Sequence, residues 1–308
     1  MALELDRLQR PLRKLRKSLK CFPKDPPAKA VHQLRTQARR MEAIAAVLMF
    51  DQDGQARDLL KTVAALRRAA GEVRNMDVLI DNTQRLAEGE LREGDQGCLE
   101  KLVDHLRAIR VRSASELHEA VTERRKAALH DLKRYSKQVE KVLLARKPGS
   151  VQVAAPNKQT GASLRVDPTT VALDFAAALR HWPRLRADNI HPFRVKVKGL
   201  RYVVELAEEA DDEFVSALDD VKDRIGEWHD WHELRRIARK VLGHHGQCGV
   251  RKQIDGIEKR KLKQALAAAN AMRRRYLDRD TGWALGKKQP SAHPRRSQAM
   301  TGGARLAG

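Results

Sequence analysis

Aromatic residues are scarce: five Phe, four Trp and three Tyr make up 4% of 308 residues. Strands favour aromatic and β-branched side chains, so the shortage argues against a β sandwich or barrel. It argues equally against readers of single-stranded nucleic acid that stack bases on aromatic rings. Cysteine is scarcer still. Cys21, Cys98 and Cys248 stand far apart, with no Cys-x-x-Cys pair and no Cys/His zinc spacing, which speaks against a disulfide framework or a zinc finger. They read as reduced thiols of an intracellular protein. No apolar run is long enough to span a bilayer. Met1 to Arg7 carry acids where a signal peptide would have its apolar core. The expectation is a soluble, cytoplasmic protein without a membrane span. Acid is the last shortage: 40 Asp and Glu face 62 Lys and Arg, a formal charge of +22. Such a chain attracts polyanions, whether nucleic acid, an anionic membrane surface or a phosphate polymer.

What the chain has in quantity is Leu, Ala, Arg and Glu, the vocabulary of helices. Leu3, Leu8, Leu12, Leu15 and Leu19 predict a first amphipathic helix over 3–20, whose other faces carry Arg7, Arg10, Arg13, Lys14, Arg16, Lys17 and Lys20. Asp25 before Pro26-Pro27 is a start signal, an acceptor at the cap and then prolines whose missing N–H is harmless in a first turn. It predicts a second helix over 26–50, ended by Gly54. Apolar periodicity predicts further helices over 56–87, 98–146, 169–181, 188–210, 213–243 and 250–279. Residues 147–168 hold Lys-Pro-Gly-Ser, Ala-Ala-Pro-Asn and Gly-Ala-Ser with no helical period. No segment shows a convincing strand period. The expected architecture is all-α: one domain over 1–286, made of a first bundle at 1–147, a linker at 148–168 and a second bundle at 169–286, with about four helices in each. Residues 287–308, with five Lys or Arg and no acid, read as a disordered basic tail.

One frame is written twice. Val31-His32-Gln33-Leu34-Arg35-Thr36-Gln37-Ala38-Arg39-Arg40-Met41 and Ile190-His191-Pro192-Phe193-Arg194-Val195-Lys196-Val197-Lys198-Gly199-Leu200-Arg201 share His-x-x-Arg-x-x-x-(Arg/Lys), at an offset of 159. Positions i, i+3 and i+7 fall within about 60° of one another around a helix. His32, Arg35 and Arg39 therefore share a face, as do His191, Arg194 and Lys198. The adjacent face is apolar in both copies: Val31, Leu34, Ala38, Met41 and Ala45 in one, Ile190, Phe193, Val197, Leu200 and Val204 in the other. No acid occurs from Pro26 to Met41 or from Asn189 to Val204. Like charges stacked on one face are unfavourable unless an anion fills the gap. Two copies of the same hand can meet about a pseudo-twofold axis, with both basic stripes lining one groove. A weaker echo follows each copy, Gly71-Glu72-Val73-Arg74-Asn75 and Gly226-Glu227-Trp228-His229-Asp230. Its glycines suit close helix packing, and Asn75 and Asp230 are placed to buttress a basic side chain.

These motifs, the duplicated frame followed by Gly-Glu-x-Arg-Asn-x-Asp-Val and Ile-Gly-Glu-x-His-Asp, resemble the conserved histidine α-helical domain (CHAD) family over about residues 3–280. The resemblance implies two pseudo-symmetric four-helix bundles around a basic central cavity that binds inorganic polyphosphate, and association with polyphosphate granules. By position, His32 and His191 match the histidines that name the family. Arg35, Arg39, Arg194 and Lys198 match its basic ladder, with Arg40 and Arg201 beside them. Arg13, Arg16 and Lys20 of the first helix complete the candidate polyphosphate-binding set. The chain departs from the family pattern at Pro192, at Gly199 and at Asn75.

Little points to catalysis. Glu88-Gly89-Glu90-Leu91-Arg92 approaches the Glu-x-Glu-x-Lys of triphosphatase domains fused to some family members, but it lies in a polar turn and ends in arginine. No Walker A loop exists. His229, Asp230, His232 and Glu233 are a weak metal signal, read here as the end of a surface helix. The expectation is a binding protein, not an enzyme, with no cofactor and no metal. Its expected partner is polyphosphate, with weak nonspecific nucleic-acid affinity besides. A nonspecific nucleic-acid-binding protein and an adaptor for an acidic protein are the competing readings, and the oligomeric state is open.

Overall fold

In the computed structural model the described residues are 5–48, 54–88, 95–144, 168–205, 211–243 and 248–278. They form eight α-helices: α1 (Leu5–Lys20), α2 (Ala28–Leu48), α3 (Gly54–Ala87), α4 (Asp95–Leu144), α5 (Pro168–Arg180), α6 (Ile190–Glu205), α7 (Asp212–Val241) and α8 (Gly249–Met272), the last running into a π-helical turn at Arg273–Leu277. No strand occurs among them. The tail at 287–308, the Glu88–Arg92 motif after its first residue, and the predicted linker up to residue 167 lie outside the described residues. Pro168 is the first residue of α5.

In the first half α1 packs on α2 and α4, α2 on α3, and α3 on α4. In the second, α5 packs on α6, α6 on α7, and α7 on α8, while the π turn after α8 comes back to α5. The Arg273 guanidinium donates to the carbonyls of Arg180 (2.9 Å) and Trp182 (2.8 Å), groups left over at the C-terminal end of α5. Each half thus closes as a ring of four helices, an arrangement consistent with the expected duplication. The halves meet through α2 against α5 and α6, and through α3 and α4 against α7 and α8.

Two apolar cores follow from these contacts. The larger takes Leu8, Leu12, Leu15 and Leu19 of α1, Val31, Leu34, Ala38 and Met41 of α2, and Ile190, Phe193, Val197 and Leu200 of α6. The smaller joins Leu79, Leu102 and Leu106 of the first half to Trp231, Leu234 and Ile254 of the second. Burial of this apolar surface is the main stabilising term. It also sets the rotation of α2 and α6, and so the direction in which their basic stripes point.

Local signals place the helix ends. Asp211 caps α7, its side chain accepting from the backbone N–H of Glu213 (2.9 Å) and Phe214 (3.2 Å). Pro192 sits in the first turn of α6, where its missing N–H has no intrahelical partner to lose, so the departure after His191 is structurally silent. Asp25 behaves otherwise than its position suggested. The helix starts at Ala28, beyond the prolines, and the Asp25 carboxylate instead accepts from Arg110 of α4 (2.8 Å). Arg110 also donates to the Pro26 carbonyl and to Asp77 of α3, which ties the α1–α2 turn down across the bundle.

Candidate functional site: a cationic groove between α2 and α6

The buried apolar faces of α2 and α6 turn their basic stripes towards one another. Arg35, Arg39, Arg194 and Lys198 lie close enough to repel. Each is partly or wholly withdrawn from water, Lys198 to 8% exposure. Burial, followed by the charges of Arg194, Arg39, Arg35 and Lys222, pulls the Lys198 amine down to about 6. Burial and the charges of Arg39 and Arg194 pull Arg35 down to about 10. Arg39 and Arg194 are lowered chiefly by burial as well. A cluster of this kind raises the energy of the empty fold, because charge is both desolvated and self-repelling.

Partners are missing where they are most needed. No carboxylate lies within ion-pair distance of Arg35, Arg39, Arg194 or Lys198 among the described residues, and Arg35 Nε is buried without an acceptor. Arg194 Nε reaches only a backbone carbonyl, that of Lys222 (2.9 Å). A collar of satisfied pairs surrounds this unpaired centre. Arg67 donates to Glu42 (2.7 Å), Arg40 to Glu205 (2.7 Å), Arg201 to Glu205 (2.8 Å) and Lys222 to Asp219 (2.5 Å), and the Arg201 guanidinium also forms an ion pair with Asp219 (2.6 Å). The nearby acids are therefore paired within the collar or, like Asp230 and Glu42, act on the centre without forming an ion pair to it.

The candidate residues divide accordingly. His32, Arg35, Arg39, His191, Arg194 and Lys198 come together. Arg40 and Arg201 stand at the α6 C-terminal end, bridged by Glu205. Arg13, Arg16 and Lys20 are exposed on α1, with Arg13 held by Asp6 (2.5 Å).

The Gly-Glu echo takes a defined role. Gly71 of α3 lies behind Arg35, and a Cβ there would sit 3.8 Å from its Nε. Gly226 of α7 lies behind Arg194 more tightly: a Cβ would fall on the guanidinium, 3.1 Å from Cζ. Gly226 makes room for Arg194, whereas Gly71 borders Arg35 at an ordinary contact distance. The residue three further on faces the histidine. Arg74, after burial, lowers His32 by its charge. The His229 ring stands 4.4 Å from the His191 ring, centroid to centroid, and with burial holds His191 down to about 4. Asp230 eases the charge on Arg194, as expected of a buttress, whereas no described contact links Asn75 to a basic side chain.

Two expectations need correction or refinement. Residues 229–233 are not a surface helix end: they sit inside α7, with His229 on His191 and His232 donating towards buried Glu258 (3.1 Å). Gly199 stands where the first copy has Arg40 because the Phe175 ring of α5 fills the space, 2.7 Å from where a Cβ would be. Arg74, His229, Lys222, Arg67 and Tyr202 are groove residues that the repeat did not single out. The alignment of Arg74 with His229 in the echo was the signal available.

The sequence pattern of the CHAD domain matches residues 6–239. The chain belongs to the CHAD domain family. Some members of this family associate with polyphosphate, and the domain is in general non-catalytic. Among solved structures, the fold resembles PptA from Streptomyces chartreusis, with 17% identity, a TM-score of 0.58, and coverage of 89% of this chain and 99% of that one. It also resembles the CHAD domain from the plant Ricinus communis, with 16% identity, a TM-score of 0.55, and coverage of 87% and 88%. No curated protein matches. The matched segment ends inside α7, so α8 and the π turn are helical parts of this CHAD protein beyond it. No helix among the described residues is long and apolar enough to cross a membrane, and none of their acidic, His and Cys side chains group as three metal ligands.

Proposed function

We propose that this CHAD protein binds inorganic polyphosphate along the α2–α6 groove. The observation that carries the reading is the unpaired cationic centre inside a collar of satisfied ion pairs. Such a centre is unfavourable alone and favourable once a linear polyanion fills it. Arg35, Arg39 and Arg194 offer planar forks to phosphate oxygens, each worth about 1.5–3 kcal/mol as a charge-assisted bond. A row of guanidinium and ammonium groups from two facing helices suits an unbranched phosphate chain better than a duplex nucleic acid. His32 and His191 mark one end of the groove, and Arg40 and Arg201 the other. Arg13, Arg16 and Lys20 provide an outer track on α1 for a chain longer than the groove. Recruitment to cytoplasmic polyphosphate granules, or their organisation, follows as the biological role.

Binding takes up protons in this reading. Lys198 near 6 is mostly neutral at pH 7 when the groove is empty, and a phosphate beside it restores the charged form. His191, near 4, changes in the same direction at lower pH. Affinity falls as pH rises above about 6, by up to tenfold per unit for one proton taken up. It falls with salt as well.

The test is equilibrium binding of long-chain polyphosphate to the wild type and to His32→Ala/Arg35→Ala/His191→Ala/Arg194→Ala. Unchanged affinity in that variant sinks the site. A competition run alongside decides the class of polyanion: displacement of polyphosphate by duplex DNA at equal phosphate concentration and moderate salt would overturn the preference.

A further inference from the structure

Cys98 and Cys248 are 150 positions apart, yet the fold brings them together at one end of the smaller core. Cys98 lies in the first turns of α4, half-buried. Cys248 precedes α8, is 9% exposed, and makes no capping bond with its side chain. Cys98 lies one helical turn after Asp95 and Cys248 directly precedes Gly249, so the Asp95–Gly249 hydrogen bond sets the two thiols near one another in this core. One belongs to each bundle. Beside them is Asp95, 4% exposed, whose Oδ1 accepts from the backbone N–H of Gly249 (2.9 Å) and whose Oδ2 has no partner.

We infer that Cys98 and Cys248 are a reactive pair that closes into a disulfide between the two bundles when the protein meets a small-molecule disulfide. The more accessible Cys98 thiolate attacks one sulfur of the oxidant, whose S–S bond breaks and whose first thiolate leaves and takes a proton. Cys248, as thiolate, then attacks the mixed disulfide at the Cys98 sulfur and expels the second thiol. Two protein thiols lose two electrons and two protons, and the oxidant becomes two thiols. The groups around the pair set its speed. Burial, the neighbouring Cys248 and the Asp95 carboxylate hold Cys98 above the ordinary thiol range, and Lys101 opposes them only weakly. Thiolate is therefore scarce near neutrality. The pair closes slowly and, once closed, joins the two halves across a long loop, which suits a staple of the oxidised protein better than a fast sensor.

The experiment uses the full chain with the exposed Cys21 replaced, Cys21→Ser, equilibrated with oxidised and reduced glutathione over a range of ratios. The expected product has lost two hydrogens, carries no glutathione and yields a Cys98–Cys248 peptide on digestion. Its unfolding midpoint rises by about 5 °C or more over the reduced form. Adding Asp95→Asn, which keeps an oxygen for Gly249, should speed closure several-fold. Glutathione retained on Cys98, or thiols still free at the most oxidising ratio, overturns the pair as a redox unit. An unchanged rate in Asp95→Asn overturns the restraint assigned to the carboxylate.

Discussion

The two halves use one spacing for different ends. In the first, His32 is exposed, faces Arg74, and is followed by two arginines. In the second, His191 is half-buried against His229 and the stripe ends in Lys198, nearly sealed from water. The first half supplies two arginines to the second's one, and the second adds the buried, strongly lowered Lys198 and His191. Behind the arginines the difference recurs, with loose space at Gly71 and none to spare at Gly226. The repeat fixes which residue types line the groove. What packs behind each copy decides whether they behave as constant cations or as groups that wait for a proton.

The largest effect expected tests whether the halves contribute equally. Arg35→Ala and Arg194→Ala should each lower polyphosphate affinity by about 10- to 100-fold, and the double variant by more than either. Titration calorimetry with a polymer of defined length checks this, and a single loss confined to one half breaks the symmetry. Next comes the contrast between Lys198→Met and Arg39→Met. The folded-state value of Lys198 lies below its unfolded one, so its penalty is full below about pH 6 and fades as pH rises towards the usual lysine range. Without anions, wild-type stability should therefore climb with pH across that window. Lys198→Met should remove the climb and add about 1–3 kcal/mol near pH 6, whereas Arg39→Met, which removes one of the charges that lower Lys198, should keep the climb and move its start to higher pH. Urea unfolding at several pH values reads both.

Glycine exchange gives a smaller contrast. Gly226→Ala should displace Arg194, weaken polyphosphate binding about 5- to 10-fold and destabilise by about 1 kcal/mol. Gly71→Ala should leave binding unchanged and stabilise α3 by up to about 1 kcal/mol. Thermal melts and the same binding assay separate them. The smallest effect expected is at Glu205, which engages Arg40 of one half and Arg201 of the other. Glu205→Gln should release them for the polymer and raise affinity about 2- to 5-fold, seen best at low salt.

Much of this was legible in the residues. The eight helices lie where the apolar period put them, because burial of one face overrides most other local preferences. The stripes were legible for the same reason. Spacing is silent on water, however. It puts Lys198 on the groove face and cannot say that the amine is buried among three arginines. It is silent too on long-range partners. Nothing local links Glu205 to Arg40, Arg110 to Asp25, or Cys98 to Cys248, since each meeting depends on how whole bundles pack. Asp25 shows the same limit from the other side: a good capping residue was taken by a distant guanidinium.

Arg273 has a bearing on where the protein can be cut. Its guanidinium finishes α5 from beyond the segment that matches the family pattern, which stops at residue 239. A fragment trimmed to that segment would lose α8 and the turn that closes the second ring, and would leave the carbonyls of Arg180 and Trp182 to water. A fragment that keeps this contact and the closed second ring therefore extends to at least Leu277.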